Sequence, residues 1–197
     1  MSARWSNIVS RTRTTRRMSD DLTVVAACAA SITASLVVLP NAQGAVGGGL
    51  AVLMIMIAIV DARRFIIPDE LTIAALAVGF LHAALQDSGS VAEMIAIAAL
   101  RGALLSLAFF VLLIGYRHLR GREGMGLGDV KLAGVAGVWL DWRMIPIAIE
   151  MAALAALAVV AVRIFQKGRS FRTTSRLPFG LFFVPAIWLA WLFGVLF

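Results

Sequence analysis

The sequence contains very few of the residues from which a metal site or a covalent cross-link is built. Its 197 residues include one cysteine, Cys28, and two histidines, His82 and His118. A single cysteine cannot form a disulfide or a cysteine cluster within one chain, and Cys28 lies in an apolar run where a small packing residue is expected. Neither histidine has matching ligands beside it. We therefore expect no metal centre and no cofactor.

Charged residues are also scarce. They make up 15% of the chain, against 61% hydrophobic residues and a mean hydropathy of +0.92. A soluble domain has about 45–50% apolar residues, so this composition excludes a water-soluble core. It fits several membrane-spanning helices of about 20 residues each. No polar linker divides the chain, and we predict one all-α transmembrane domain over residues 20–197 after a basic segment over residues 1–19.

Apolar runs predict seven transmembrane helices. They cover residues 22–39, 46–62, 69–85, 91–116, 126–140, 144–164 and 178–197. A basic head before the first run is also typical of a signal peptide, but this run is long and Pro40-Asn41-Ala42 is a poor cleavage site. We therefore predict a retained first helix. Trp139 and Trp142 flank one end of the fifth run, as membrane-interface anchors do.

Positive charge falls almost entirely on one side of these predicted helices. Of the 18 Lys and Arg residues, 16 lie in the N-terminal segment, in the loops 62–68, 117–124 and 163–176, or at the start of the fifth run. The positive-inside rule predicts that these segments and the N-terminus are cytoplasmic. The basic loops are expected to contact anionic lipid headgroups. This accounts for the net charge of +7 without a nucleic-acid partner, since no pattern of base-stacking aromatic residues accompanies the charges.

Two aspartates stand at the ends of separate apolar runs. Asp61 follows the run 51–60, and Asp129 completes Gly126-Leu127-Gly128-Asp129 at the start of the fifth run. A carboxylate at the centre of a membrane helix costs roughly 2.5–3.5 kcal/mol on insertion scales, which suggests a functional reason for both. The predicted topology places both near the cytoplasmic face, although 68 residues separate them. We therefore predict that they come together as a catalytic pair.

Such a pair suits hydrolysis of an amide bond. Two adjacent carboxylates cannot both ionise cheaply, so we expect them to hold one shared proton near neutral pH. The ionised member can take a proton from water while the protonated member donates to the carbonyl oxygen. Two other hypotheses use the same chain differently. It could be a proton-coupled transporter with the aspartates as relay groups, although no internal repeat is found. It could also be a noncatalytic component of a secretion machine.

Small residues surround Asp129. Gly126 and Gly128 carry no side chain, so a substrate backbone could approach closely, or they could serve helix packing alone. Gly134 and Gly137 continue a small face along the fifth run and are expected to permit close helix packing. Lys131 either influences the neighbouring carboxylate or anchors the helix at the headgroups.

Other charged residues near the runs have structural interpretations. Pro68, Asp69 and Glu70 are expected to begin a helix, because proline suits its first turn and acidic residues favour its N-terminal end. Arg101 lies about 15 Å into the fourth run at 1.5 Å per residue. A charge at that depth needs a partner. We predict an ion pair with Glu150.

These segments resemble the prepilin peptidase family, the bacterial type IV leader peptidases of the Gly-x-Gly-Asp aspartic protease class. The stretch Met125-Gly126-Leu127-Gly128-Asp129-Val130-Lys131-Leu132 is similar to the second aspartate motif of the family, and Asp61 with Ile67-Pro68-Asp69-Glu70-Leu71-Thr72 is similar to the first. Leu177-Pro178-Phe179-Gly180-Leu181-Phe182-Phe183 is similar to the family's Pro-Phe-Gly stretch. The resemblance covers most of the chain from about residue 46 onward.

The resemblance implies an endopeptidase of the bacterial inner membrane. Its substrates would be prepilins or pseudopilins, which have a short basic leader followed by an apolar helix and are cut at the junction. It implies Asp61 and Asp129 as the catalytic pair. The implied substrate-binding residues are Gly126, Gly128, Lys131, Pro68, Phe179 and Gly180.

Longer members of the family add a cytoplasmic domain with paired cysteines that methylates the cleaved pilin. This chain has no cysteine pair and no comparable loop, so methylation is not expected, and it looks more like the compact peptidases of tight-adherence (Flp-type) pilus systems. Archaeal preflagellin peptidases share the Gly-x-Gly-Asp motif and are a weaker alternative. The sequence leaves the oligomeric state open.

Overall fold

Seven α-helices form the part of the chain that the computed structural model describes, residues 21–86, 89–121, 125–167 and 179–197. In chain order they are α1 (Asp21–Val38), α2 (Ala42–Arg64), α3 (Asp69–Ala84), α4 (Val91–Arg120), α5 (Leu127–Trp139), α6 (Met144–Lys167) and α7 (Gly180–Leu196). These residues contain no strand. The predicted all-α architecture is confirmed, and each helix begins and ends within a few residues of its predicted run.

The helices differ in length. Helices α1, α2, α4 and α6 are long and apolar enough to cross a membrane, and α7 is a shorter apolar helix of 17 residues. Helices α3 and α5, with 16 and 13 residues, fall short of the roughly 20 that a full crossing requires. The chain is a multi-pass membrane protein in which a short helix is tolerated where other helices surround it. Nine of the 13 residues of α5 are buried.

Helix α5 lies at the centre of the bundle. It packs most extensively against α4 and also against α3 and α7, while α2 packs against α3 and α7, and α6 against α7. Small residues let α4 and α5 approach closely. A Cβ added at Gly137 would lie 2.6 Å from the backbone oxygen of Arg101, and one at Gly134 would lie 2.6 Å from Oγ of Ser106. The predicted close packing along this face is confirmed.

The two ends of the bundle carry different side chains. At one end, here called the aspartate end, α2 finishes and α3, α5 and α7 begin, and this end contains Asp61 and Asp129. The opposite end, here called the tryptophan end, contains Trp139 at the last residue of α5 and Trp191 near the last turn of α7. The two aspartates and the two tryptophans therefore lie at opposite ends of the bundle, separated by the length of α5.

A tight turn joins α2 to α3 at the aspartate end. Phe65 adopts a left-handed conformation with φ of 55°, and its N–H donates to the backbone oxygen of Asp61 at 2.9 Å. A residue other than glycine is uncommon there, and this conformation ends α2 at Arg64, three residues after Asp61. Pro68 then caps α3, which begins with Asp69 and Glu70 as predicted.

Two expectations for the tryptophan end are wrong. Arg101 pairs with Asp141 at 2.6 Å rather than with Glu150, which is exposed on α6. The reason is that Asp141 follows α5 directly and α5 is the closest neighbour of α4. Trp139 is buried inside the bundle, where its indole N–H donates to the backbone oxygen of Ala75, so only the exposed Trp142 remains available as an interface anchor.

Candidate active site

Asp61 occupies the last turn of α2 and is nearly enclosed by protein. The residue is only 5% exposed. Its Oδ2 accepts no hydrogen bond from any residue that the structure describes. The backbone N–H of Leu181, in the first turn of α7, lies close to this carboxyl group. A buried carboxyl oxygen without a donor is costly and is uncommon in proteins.

Asp129 is held by the first turn of α5. The residue is 8% exposed, and its Oδ2 accepts a hydrogen bond of 3.2 Å from the backbone N–H of Gly126. In return the backbone N–H of Asp129 donates to the oxygen of Gly126 at 3.1 Å. The Gly-x-Gly-Asp segment therefore forms a closed turn at the start of α5, and that turn restricts the direction of the carboxylate.

The two aspartates are near enough to interact electrostatically, because the charge of Asp61 acts on the carboxyl group of Asp129. Neither forms an ion pair with a lysine or arginine among the described residues. Opposite charges would hold both groups ionised. Without them, repulsion between two nearby carboxylates favours one shared proton.

Gly180 makes room for the Asp61 carboxylate. A Cβ added at Gly180 would lie 2.7 Å from Oδ2 of Asp61, closer than side chains tolerate. The first residue of α7 therefore forms one wall of the carboxylate site only because it has no side chain.

Ile67 links the surroundings of the two aspartates. A Cβ at Gly128 would lie 2.8 Å from Cδ1 of Ile67, and one at Gly180 would lie 3.2 Å from the same atom. The Ile67 side chain is buried and therefore fills the space between the start of α5 and the start of α7. The turn before α3, the first turn of α5 and the first turn of α7 thus meet around Asp61.

Phe179 and Pro68 lie beside this site. Among the described residues, no contact is observed between either of them and the two carboxylates. Phe179 stacks on Phe183 with ring centroids 5.4 Å apart, and Phe183 stacks on Phe109 at 5.7 Å. This stack fixes the start of α7. Pro68 is partly buried directly after Ile67. Pro178, also expected near the cleft, lies outside the described residues.

Lys131 does not join the aspartates. Its ammonium forms an ion pair with Asp69 at the start of α3, and both side chains are substantially exposed. This contact favours an anchoring role over an influence on Asp129. Within the described ranges, no group of three His, Cys, Asp or Glu side chains is close enough to hold a metal ion.

Sequence reasoning missed the contributions of Ile67 and Leu181. The sequence shows Ile67 only as part of a motif, and its packing between two glycines depends on the first turns of two separate helices, α5 and α7. Leu181 acts through its backbone N–H, which no side-chain pattern identifies. One feature of the sequence could have identified them: Ile67 lies directly before Pro68, and Leu181 lies directly after Gly180.

Comparison with known proteins identifies the family. A model of the type IV leader peptidase family matches residues 48–161. The leader peptidase HopD of Escherichia coli is 32% identical over 137 residues, which cover 69% of this chain and 84% of that protein. The prepilin leader peptidase/N-methyltransferase of Aeromonas hydrophila is 30% identical over 141 residues, and that of Pseudomonas aeruginosa is 29% identical over 150 residues. In each case the match covers 72% of this chain and 47% of the relative.

The match is to sequences rather than to solved structures, none of which matches significantly. The chain spans most of the length of HopD but about half the length of the two N-methyltransferase relatives. The matched segment contains both aspartates and the Gly-x-Gly-Asp turn. A peptidase family favours hydrolysis over the transporter hypothesis. The chain belongs to the type IV leader peptidase family and is a peptidase.

Proposed function

We propose that this protein is a membrane-embedded aspartic endopeptidase that removes the basic leader from type IV prepilins or pseudopilins. The observation that carries the proposal is that two carboxylates are buried at the same end of the bundle and that neither has a lysine or arginine paired with it among the described residues. The names of the relatives supply the substrate class, since two of them are prepilin leader peptidases. We extend the substrate class to Flp-like pilins, because the motifs of this chain resemble those of the tight-adherence peptidases.

Asp61 and Asp129 would share one proton and act on a water between them. The ionised carboxylate takes a proton from the water, whose oxygen attacks the carbonyl carbon of the scissile peptide bond. The other carboxylic acid donates its proton toward the carbonyl oxygen, and the amine leaves after protonation. This step needs no covalent intermediate. The proton count belongs to the pair rather than to either residue.

Glycines around the pair support access by an extended peptide. Gly126 and Gly128 flank the turn that holds Asp129, and Gly180 faces Asp61. Pro68 and Phe179 would define the borders of the cleft. Lys131 would contribute at a distance from the carboxylates, through its pair with Asp69.

The charge distribution supports a cytoplasmic location for the cut. Arg63 and Arg64 end α2, and Arg117 and Arg120 end α4, all at the aspartate end. The positive-inside rule assigns this end to the cytoplasm. A prepilin's basic leader and apolar helix would meet at that depth in the inner membrane.

The test is co-expression with a candidate prepilin. Asp61→Asn and Asp129→Asn are each expected to reduce processing by at least about 10³-fold, because the two groups act as one unit. Glu150→Gln is the matched control: it neutralises an exposed carboxylate on α6 and should process normally. Both aspartate variants must still insert into the membrane and resist aggregation. Normal cleavage by either variant would refute the mechanism and favour a noncatalytic role in a secretion machine.

A further inference from the structure

One methyl group of Ile67 lies against the surroundings of both aspartates. Its Cδ1 atom would lie 2.8 Å from a Cβ added at Gly128, the residue before Asp129. The same Cδ1 would lie 3.2 Å from a Cβ added at Gly180, whose nearest neighbour would be Oδ2 of Asp61 at 2.7 Å. The residue is 8% exposed. A single buried side chain therefore stands between the start of α5 and the start of α7.

The backbone on both sides of Ile67 is fixed by hydrogen bonds. Before it, the N–H of Phe65 donates to the backbone oxygen of Asp61 at 2.9 Å. After it, the backbone oxygen of Pro68 accepts two hydrogen bonds from Thr72, one from the N–H at 3.2 Å and one from the hydroxyl at 2.9 Å. The proline ring also restricts its own φ. The connection between α2 and α3 therefore cannot move Ile67 away from the site without breaking these bonds.

The Ile67 side chain and its neighbours have little freedom to move. Isoleucine is branched at Cβ, which restricts its χ1 angle. Gly128 and Gly180 have no side chains, so their backbones approach the isoleucine directly. Rigid groups in close packing transmit a displacement to their neighbours. Ile66, the preceding residue, is 62% exposed and has no such position.

We propose that Ile67 is a positioning residue that sets the separation between the carboxyl groups of Asp61 and Asp129. It acts through the first turn of α5 on one side and the first turn of α7 on the other, and it transfers no proton itself. The proposal rests on the proposed function, because a shared proton requires two carboxyl groups held close together. A fixed separation maintains the repulsion between them, which keeps a single proton on the pair over a wide pH range.

The first test shortens the Ile67 side chain and measures prepilin cleavage per folded molecule. Ile67→Val removes only Cδ1 and should lower kcat about fivefold, and Ile67→Ala should lower it about 30-fold, because small displacements of catalytic groups are costly. KM should stay within about twofold, since a buried residue behind the carboxyl groups does not bind the peptide. Ile66→Ala is the matched control and should equal the wild type. Normal kcat in both Ile67 variants would overturn the proposal.

The pH dependence of kcat distinguishes positioning from simple packing. Activity should be highest at pH values where the pair holds one proton, and this range widens as the two carboxylates repel each other more strongly. A loosened pair can move apart and repel less. The range of half-maximal activity should therefore narrow by roughly one pH unit in Ile67→Ala. An unchanged range with a lower kcat would show that Ile67 only stabilises the fold.

Double variants test whether Ile67 acts through Gly128. A methyl group at Gly128 would meet Cδ1 of Ile67 at 2.8 Å and its Cβ and Cγ1 at 3.1 Å, so Gly128→Ala should also lower kcat about 30-fold. In the Ile67→Ala background only the Cβ contact remains. The double variant should therefore lose about 30-fold in total, rather than the roughly 10³-fold that independent losses predict. Independent losses would refute action through Gly128.

Gly180→Ala is the matched comparison for this rescue. Its added methyl group would meet the Asp61 carboxylate itself, so removal of the Ile67 side chain should restore no activity. Restoration in both backgrounds would contradict a specific contact between Ile67 and Gly128. Failure of the wild-type protein to cut any prepilin would refute the proposed function and this proposal together. Normal cleavage by the wild type and by the Ile67 variants, with none by the Asp61→Asn protein, would refute the positioning role alone.

Discussion

The aspartate end and the tryptophan end both bury polar side chains inside an apolar bundle, and each contains buried polar atoms without a hydrogen-bond partner among the described residues: Oδ2 of Asp61 at one end, Nδ1 of His82 and Nε of Arg101 at the other. The two ends differ in how their charged groups are paired. At the tryptophan end, Arg101 is paired with Asp141, and His82 accepts a hydrogen bond from the indole N–H of Trp191 at 3.3 Å. At the aspartate end, neither Asp61 nor Asp129 forms an ion pair with a lysine or arginine among the described residues. Among the described residues, the buried cation at the tryptophan end has an opposite charge beside it, whereas the buried carboxylates at the aspartate end have none.

This difference separates stability from chemistry. The His82 ring stacks on Trp139 with centroids 5.0 Å apart and meets Trp191 edge-on at 5.9 Å, so several helices are tied together through one side chain. Such contacts lower the free energy of the folded state. A carboxylate held by equally strong partners could not exchange protons with substrate and water. We therefore expect substitutions at the aspartate end to reduce turnover and those at the tryptophan end to reduce stability.

Gly180→Ala should have the largest effect on turnover among variants that leave both aspartates in place. The new methyl group would displace the Asp61 carboxylate, because the carboxylate is the movable partner in the 2.7 Å contact. Misplacement of a catalytic group by about 1 Å can cost about 10²-fold in rate. We expect kcat for prepilin cleavage to fall by that order while the protein remains folded.

Gly49→Ala is the matched control for Gly180→Ala. Gly49 lies on α2, the helix that carries Asp61, and a Cβ there would meet nothing within 4 Å. Its activity should equal that of the wild type. A Gly180→Ala enzyme with unchanged kcat would show that the position of Asp61 is not critical and would remove the contrast between the two ends.

Asp141→Asn should mainly reduce stability. It leaves the Arg101 guanidinium, whose side chain is only 8% exposed, without an opposite charge. Because the Asp141 side chain is 74% exposed and water can reach it, we expect a loss of about 1–2 kcal/mol in the free energy of unfolding rather than the larger cost of a fully buried pair. Thermal unfolding in detergent measures this loss, and cleavage per folded molecule should be unchanged.

Glu150→Gln tests whether Arg101 is paired with Asp141 alone. Since Glu150 is exposed and forms no ion pair with Arg101, its neutralisation should change the free energy of unfolding by no more than about 0.5 kcal/mol. Equal destabilisation by Glu150→Gln and Asp141→Asn would contradict the pairing that the structure shows.

Trp191→Phe should reduce stability less than Asp141→Asn does. It removes the hydrogen bond to His82 while keeping an aromatic ring against Trp139, so we expect a loss of about 1 kcal/mol in unfolding free energy. Trp142→Phe, at an exposed position beyond α5, is the control and should be neutral. A loss of turnover in folded Trp191→Phe protein would mean that the two ends of the bundle are coupled.

Local patterns in the sequence predicted the helices well but predicted side-chain partners poorly. Pro68 and Gly126 interrupt the apolar runs directly before α3 and α5. The starts of these two helices could therefore be predicted from neighbouring residues alone. The partner of Arg101 depends on which way α4 is rotated and which helix lies next to it. No local pattern in the sequence shows how α4 is rotated or which helix lies next to it. Glu150 is the partner that depth in the membrane alone predicts.

The same distinction applies to the site. The cost of a charge in an apolar chain singled out Asp61 and Asp129, because that argument needs only the neighbouring residues. The role of Ile67 needs the positions of Gly128 and Gly180 together, which no pattern within one segment contains. Lys131 is close to Asp129 in sequence. On a helix, however, residues two positions apart point to roughly opposite sides, so their side chains need not lie together.

The contact between Asp61 and Gly180 also sets an order of events during synthesis. Asp61 enters the membrane with α2, but the wall that confines its carboxylate belongs to α7, which follows 119 residues after it. A ribosome that has made α2 through α6 has therefore produced both aspartates but an open site. Completion of α7 closes it, so under the proposed mechanism a newly made chain acquires its active site only when its seventh helix has packed against its second.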